Sequence, residues 1–149
     1  MTSTAYINLV TDGVISTLNA NKAALGDFVT IYERDQEPSV LADHKDLLPV
    51  LVVMPLTNPD SVKMTMGGSE MYHNFSLSIT GYYSFDNLTD DIRTMRGYAY
   101  DCLDLFRGTN SKVSHAHVYS GSVNPGYFVM VDTPIYTWIV RLNMKMLEV

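Results

Sequence analysis

The sequence has little charge and almost no cysteine, and each shortage excludes a class of protein. Charged residues make up 17% of the 149 positions and hydrophobic residues 46%. That is too little charge for a disordered chain and enough apolar material for one packed core. The single cysteine, Cys102, excludes an intrachain disulfide. We therefore expect one domain, residues 1–149, held together by its hydrophobic core.

Basic runs and long apolar runs are also missing. The ten lysine and arginine residues are scattered, and the formal net charge is −6. A sequence-specific nucleic-acid surface and attraction to an anionic membrane are therefore not expected. The longest apolar run, residues 47–56, contains two prolines and is far shorter than the ~20 residues of a membrane span. The N-terminal residues have no basic segment followed by an apolar stretch, so no secretory signal is expected.

Motifs for catalysis or cofactor binding are missing too. The glycine pair Gly67-Gly68 precedes a strand pattern, whereas a phosphate-binding loop leads into a helix. His115 and His117 share a face of a predicted strand, but no third zinc ligand can be assigned, so an exposed polar face is the favoured interpretation. The pair Asp90-Asp91 fits the first turn of a helix. We expect no catalytic residue, no metal and no cofactor.

Two segments show the spacing of an amphipathic helix. The first helix is predicted over residues 5–25, with Gly26 at its end, and the second over residues 89–107, with Gly108 as its C-cap. Cys102 falls within the second stripe and is interpreted as a small core residue. The apolar stripes consist of Ile7, Val10, Val14, Ile15 and Leu18 in the first helix, and of Ile92, Met95, Ala99, Cys102, Leu103 and Phe106 in the second.

Strand patterns fill most of the remaining sequence. Residues 75–85 alternate with a strict period of two, and residues 135–147 are also well patterned, which predicts two strands with one buried face each. Residues 47–54 are almost all aliphatic, which predicts a strand buried on both faces. Weaker patterns predict strands at 28–33, 62–66, 113–120 and 127–131. The order indicates a two-layer α+β domain, a mostly antiparallel sheet with both helices packed on one face.

The layout of these elements resembles the tail terminator (tail completion) proteins of tailed phages. The shared layout covers most of the chain and contains no catalytic residues. Its elements are an N-terminal helix such as Ala5–Leu25, a proline-flanked aliphatic segment such as residues 48–53, a long alternating strand such as Tyr72–Phe85, a helix such as Thr89–Arg107, and a final alternating strand such as Ile135–Leu147.

This resemblance implies a structural virion protein that forms a homo-hexameric ring. Such a ring caps the tail tube and joins it to a neck or head-closure protein, and it is assembled in the host cytoplasm before it becomes part of the virion tail and neck. DNA would pass through the lumen without specific binding, which an acidic chain favours. Candidate contacts between rings are Val62, Met64 and Met66 in the arm at residues 62–66, and Pro38, Asp43 and His44 in the polar segment 34–46.

Two alternatives to the terminator remain open. The first is another component of the same virion, a head-closure or other neck protein. The second is a small-molecule-binding or enzymatic α+β domain, which predicts a deep pocket with convergent polar groups. Nine methionines and ten tyrosines favour an interaction surface, because both residue types are enriched at protein interfaces. The same residues can equally fill a core.

Overall fold

A computed structural model describes residues 3–34, 40–41, 47–56, 62–64, 71–84, 92–113, 116–129 and 135–148. The helical elements are α1 (Ser3–Ala20), a 3-10 helix (Lys22–Leu25), α2 (Ile92–Asp104) and a second 3-10 helix (Gly108–Asn110). The strands are β1 (Thr30–Tyr32), β2 (Val50–Leu56), β3 (Val62–Met64), β4 (Met71–Ser84), β5 (Lys112–Val113), β6 (Ala116–Val129) and β7 (Ile135–Glu148).

The strands form one sheet in the order β1-β2-β4-β7-β6-β5, with β3 also paired to β4. At its centre β4 and β7 pair antiparallel along their full length, from Met71 opposite Glu148 to Ser84 opposite Ile135. The pairing of β1 with β2 is parallel, and the other described pairs are antiparallel. The expected mostly antiparallel sheet is confirmed.

Both helices pack on the same side of this sheet through the stripes seen in the sequence. Val10, Val14 and Leu18 of α1 are fully buried, and so is Cys102 of α2. They belong to one apolar cluster with inward residues of β4 and β7, such as Trp138. Burying each large side chain of this cluster stabilises the fold by roughly 1.5–3 kcal/mol. The two-layer α+β class predicted from the sequence is confirmed.

The alternation in β4 and β7 sorts their side chains between the two faces of the sheet as predicted. Leu77 and Ile79 of β4 and Val140 and Leu142 of β7 are completely buried under the helices. The intervening Arg141 is exposed. Because the side-chain period of a strand is two, one register places the whole apolar series of each strand under the helices.

Strand β2 is buried on both of its faces, as its aliphatic composition predicts. Residues 50–53 are at most 2% exposed. Leu51 and Val53 join the cluster beneath the helices, whereas Val50 belongs to a smaller cluster on the opposite side of the sheet. Pro49 precedes the strand, so the ladder does not lose a donor there. Its carbonyl accepts the N–H of Val29 at 2.7 Å.

The ends of both helices differ from the sequence prediction. α1 stops at Ala20, and the 3-10 helix that follows ends at Gly26, whose φ of +82° is left-handed and favours glycine. α2 ends at Asp104, before the predicted cap at Gly108. The N–H of Phe106 donates to Leu103 in a tighter turn as the Phe106 ring enters the core. Gly108 instead begins the second 3-10 helix.

The strands predicted at 113–120 and 127–131 do not exist as separate elements. β5 ends at Val113, and a single long strand, β6, runs from Ala116 to Val129 beside β7. Its register shifts between Val118 and Ser120 and again between Asn124 and Tyr127. At each shift β6 contains residues that have no partner in β7, and the pairing resumes beyond them. The turn-like sequence Asn124-Pro125-Gly126 therefore lies inside the strand.

Candidate functional site

The interface residues proposed from the sequence lie mostly outside the described part of the chain. Val62 and Met64 are at the two ends of β3, opposite His73 and Met71 of β4. The other candidates, Pro38, Asp43, His44 and Met66, lie outside the described residues. The described residues therefore do not show whether the six candidates lie close together. Their role in contacts between rings stays a prediction.

The sheet side that faces away from the helices carries a different candidate surface. At least partly exposed polar side chains of β4, β6 and β7 lie there side by side. We call this surface the open sheet face. Its main polar residues are Ser76, Ser78 and Thr80 of β4, Arg141, Asn143 and Lys145 of β7, and His117, Ser120 and Ser122 of β6.

Hydrogen bonds tie the centre of the open sheet face together across three strands. The Ser76 hydroxyl donates to Oδ1 of Asn143 at 2.6 Å, and Nδ2 of Asn143 donates to the Ser120 hydroxyl at 2.9 Å. Since adjacent strands are about 4.8 Å apart, this chain of bonds spans roughly 10 Å. It holds three short side chains flat against the sheet, and the surface is therefore shaped before any partner binds.

The open sheet face is cationic, although the whole chain is acidic. Arg141 and Lys145 are exposed and stand on either side of Asn143 along β7. His117 is exposed as well, and its backbone pairs with that of Lys145. None of the nine residues that define this face is an aspartate or glutamate. The sign of these exposed charges is therefore opposite to the formal net charge of the protein, which is −6.

One end of the same sheet side is covered and apolar. Leu41 and Leu48 pack there with Val50 of β2 and Ile135 of β7, with Tyr82 alongside. Thr137, in the same strand as Arg141, is therefore completely buried. The accessible part of the surface is the region around Asn143, away from this small apolar cluster.

Two open grooves lie on the described surface. An open groove of about 350 Å³ lies between α2 and β6, bordered by Leu103, Phe106 and the exposed Tyr119 at the β6 bulge. A second of about 260 Å³ is lined partly by Thr17 and Lys112. Neither lining contains a histidine, cysteine, aspartate or glutamate. Within the described residues no three potential metal ligands come together.

Cys102 is a core residue, as its place in the α2 stripe predicts. The thiol is fully buried, and burial raises its pKa well above the usual value. The thiolate is the reactive form. We therefore expect native protein to react with a thiol reagent on the order of 100-fold more slowly than the unfolded chain. A time course with a chromogenic disulfide, run with and without denaturant, measures this ratio. Equal rates would contradict the burial.

The sequence predicts that the open sheet face is polar, but it does not predict which of its side chains are neighbours. The alternation in β4 and β7 places Ser76, Ser78, Arg141 and Asn143 on the outward side. The pairing of Ser76 with Asn143, and of Asn143 with Ser120, depends on strand order and register. Strand order is not visible in the alternation of any single segment.

The fold and this surface define a class: a two-layer α+β domain with one sheet face under two helices and the other largely open. No family model matches the sequence. No curated protein matches it either. None of the described helices combines the length and apolar character needed to traverse a bilayer.

Among solved structures, the chain is similar to a chain of the "Virion of native gene transfer agent (GTA) particle". The superposition covers 93% of this chain and 96% of that one, with a TM-score of 0.51 and 14% sequence identity. At that identity the similarity shows a shared fold. It extends over nearly the whole of both chains, so no large part of either one falls outside the common architecture.

Proposed function

We propose that this protein is a structural virion component of a tailed phage, and more specifically the tail terminator subunit. Six copies would form a ring that caps the tail tube and joins it to the neck. The observation that carries the proposal is the fold shared with a virion particle chain over 93% of the sequence. The element order seen in the sequence points to the same group of proteins.

The described surface supports a role in assembly rather than in catalysis. The described residues that line its two grooves include no histidine, cysteine, aspartate or glutamate, and the Cys102 thiol is buried. Several large apolar side chains, such as Leu9, Tyr100 and Tyr119, are at least 38% exposed. Exposed aromatic side chains give large contact areas at protein interfaces. A subunit that acts by shape complementarity needs such surfaces and no reactive centre.

A head-closure or other neck protein is the second candidate, because the same fold similarity to a virion chain supports it equally. The two roles differ in where the ring binds. A terminator binds the end of a tail tube and stops its growth, whereas a head-closure protein binds the head side of the neck.

The test measures the mass of the purified protein and its effect on tail tubes. The chain has a mass of 16.7 kDa, so a hexamer should appear near 100 kDa by light scattering and native mass spectrometry. Added during tube polymerisation, it should yield capped tubes of restricted length in electron micrographs, with tube protein alone as the control. A ring that binds heads but leaves tubes unchanged would favour the neck protein. A monomer that binds neither would contradict both roles.

A further inference from the structure

We infer that β6 is the site at which a second copy of this chain adds a strand, and that the added strand is β1 of that copy. The sheet would then continue from one copy into the next in a head-to-tail contact. This inference rests on the proposed ring, because it assigns the surfaces that join neighbouring subunits. It starts from three observations: an accessible edge on β6, the directions of the two outer strands, and exposed apolar side chains beside both of them.

The outer side of β6 is accessible over residues 120–124, which we call the outer edge of β6. β5 pairs with β6 solely at two residues before Val118, and the N–H of Val118 donates to the carbonyl of Ser111 at 2.8 Å. Beyond Val118, β7 is the single strand that pairs with β6 in the described part of the chain. Gly121 is exposed. Since glycine has no side chain, the backbone of this edge meets solvent directly.

The composition of the outer edge of β6 favours pairing with another strand. Residues 120–124 keep a regular register with β7, from Ser120 opposite Asn143 to Asn124 opposite Ile139. None of the five is charged or a proline, although these are the residues with which proteins usually protect an exposed edge. The register shifts of β6 lie on either side of this stretch. An edge of this kind is complementary to an extended strand, because each presents N–H and C=O groups to the other.

The groove of about 350 Å³ between α2 and β6 borders this edge. Its lining includes Leu103 and Phe106 on the α2 side and Gly121 in β6. A strand added to β6 directs every second side chain to the helix side of the sheet. Val29 of the second copy is suited to enter the groove, because it is 49% exposed and lies two residues before Ile31, which packs on the helix-side cluster. Main-chain hydrogen bonds and an apolar pocket are the two components of strand addition.

The strand directions fit an antiparallel joint. β1 and β2 are parallel, and each further neighbour in the order β2-β4-β7-β6 is antiparallel, so β6 runs opposite to β1. A second copy that continues the sheet without inverting it therefore places its β1 antiparallel to β6. Thr30 of β1 lies on the side of the open sheet face, as Ser120 and Ser122 do, because its partner Val50 belongs to the small apolar cluster on that side.

Exposed apolar side chains adjoin both ends of the sheet. In the described part of the chain, six large apolar side chains are at least 38% exposed, and four of them lie at these ends. Tyr119 precedes the outer edge of β6, Val29 precedes β1, and Val40 and Leu47 adjoin the small apolar cluster beside β1. A two-fold contact of β6 with itself would leave the β1 end exposed. A head-to-tail contact covers both ends, and it is the arrangement that closes rings.

Paired cysteines test the joint directly. A chain with Thr30→Cys and Ser122→Cys should, after mild oxidation, give covalent multimers up to the hexamer on non-reducing gels. Directly opposed strand residues have Cβ atoms close enough for a disulfide. The pair Thr30→Cys and Ser120→Cys covers a register shifted by two residues. Circular dichroism and Tm of the reduced proteins, unchanged from the wild type, would show that the variants fold.

The controls for the cross-link use the same chemistry at other places. Each cysteine variant alone should stay monomeric on the gel, because the native Cys102 thiol is fully buried. Asn19→Cys combined with Ser122→Cys moves the first thiol to an exposed position of α1 and should give no multimers. Multimers in this control would show that the links arise from random collisions, and they would overturn the assignment. Linked pairs from Ser122→Cys alone would assign β6 to a two-fold contact instead.

Val29→Asp tests the occupant of the groove. A carboxylate held in an apolar groove loses its hydration, so subunit association should weaken on the order of 100-fold, measured as the concentration at which the assembly dissociates in sedimentation velocity. Leu9→Asp makes the same change of charge at an exposed apolar position of α1 and should assemble like the wild type. Normal assembly of Val29→Asp, or loss of assembly in both folded variants, would overturn the assignment of Val29 to the groove.

The outcomes separate this inference from the proposed function. A wild-type protein that is monomeric at all concentrations would contradict the ring itself. A wild-type ring whose two cysteine pairs fold and assemble but give no covalent multimers would leave the ring standing and overturn the joint between β1 and β6.

Discussion

Gly81→Ala is expected to destabilise the protein by about 3 kcal/mol, the upper end of the usual cost of overpacking a core. Gly81 of β4 lies directly opposite Trp138 of β7, and the buried indole covers the position where a side chain would begin. An added Cβ would meet Cε2 of the ring and would lie 2.6 Å from Cζ2 and 2.8 Å from Nε1. Trp138 is completely buried, so the ring has no free space into which to retreat.

The matched control is the same substitution where space is free. Gly97 lies within α2, and a Cβ there meets no atom within 4 Å. Gly97→Ala should therefore raise stability by roughly 0.5–1 kcal/mol through helix propensity. Thermal unfolding should show a decrease in Tm of about 10 °C for Gly81→Ala and a small increase for Gly97→Ala. Similar Tm values for Gly81→Ala and the wild type would show that the indole does not cover this position.

A double-mutant cycle isolates the contact between the two residues. Trp138→Leu removes the indole and should cost stability on its own, because it leaves a cavity. In that background Gly81→Ala should cost at least 1 kcal/mol less than in the wild type, since the opposing ring is gone. Additive effects would indicate that the cost of Gly81→Ala arises from the backbone of β4 and not from Trp138.

The same contact shows why the sheet could be predicted from the sequence. In β4 and β7 one face is apolar at every second residue, and only one register buries all of these residues at once. Gly81 occupies a position in the apolar series of β4 where a large residue would be expected. Its small size compensates for the large Trp138 across the strand pair. The sequence shows the glycine and the tryptophan, but their pairing depends on which strands are neighbours.

Strand β6 shows where sequence reasoning is insufficient. Asn124-Pro125-Gly126 is typical of a turn, yet it lies inside one strand where the sequence predicted two. The tertiary context overrides this local preference, because β7 continues beyond the irregularity and pairs with β6 on both sides of it. Patterns within single segments cannot detect an irregular strand that is kept in place by pairing with its neighbour.

The open sheet face, like the single strand β6, depends on the tertiary structure and could not be predicted from single segments. The resemblance to tail terminators directed attention to the arm at residues 62–66 and to the polar segment 34–46. The open sheet face has no unusual composition in any one strand. It becomes distinctive when β4, β7 and β6 lie side by side, which brings Arg141 and Lys145 onto the same face as His117. A cationic surface on an acidic chain is therefore a property of the fold.

Gly126→Ala should destabilise the protein by roughly 3 kcal/mol, because two separate penalties act at one residue. The φ of Gly126 is +139°, a backbone conformation that residues with a side chain rarely adopt. An added Cβ would also collide with the hydroxyl end of the buried Tyr136 side chain and would lie 2.6 Å from its Cε1. Tyr136 cannot move away without losing the hydrogen bond that its hydroxyl donates to the carbonyl of Pro125 at 2.6 Å.

Gly108 allows the backbone penalty to be measured by itself. Its φ is +63°, but a Cβ at this position would meet no atom within 4 Å, so Gly108→Ala should cost about 1 kcal/mol. Tyr136→Phe removes the hydroxyl together with its bond to Pro125 and its interaction with Arg96, and it should cost at least about 1 kcal/mol. Urea unfolding of the three variants tests this ordering. If Gly126→Ala cost no more than Gly108→Ala, the tyrosine would not restrain the irregular part of β6. A larger cost would agree with a collision between the added Cβ and Tyr136 and with the less favourable φ of Gly126.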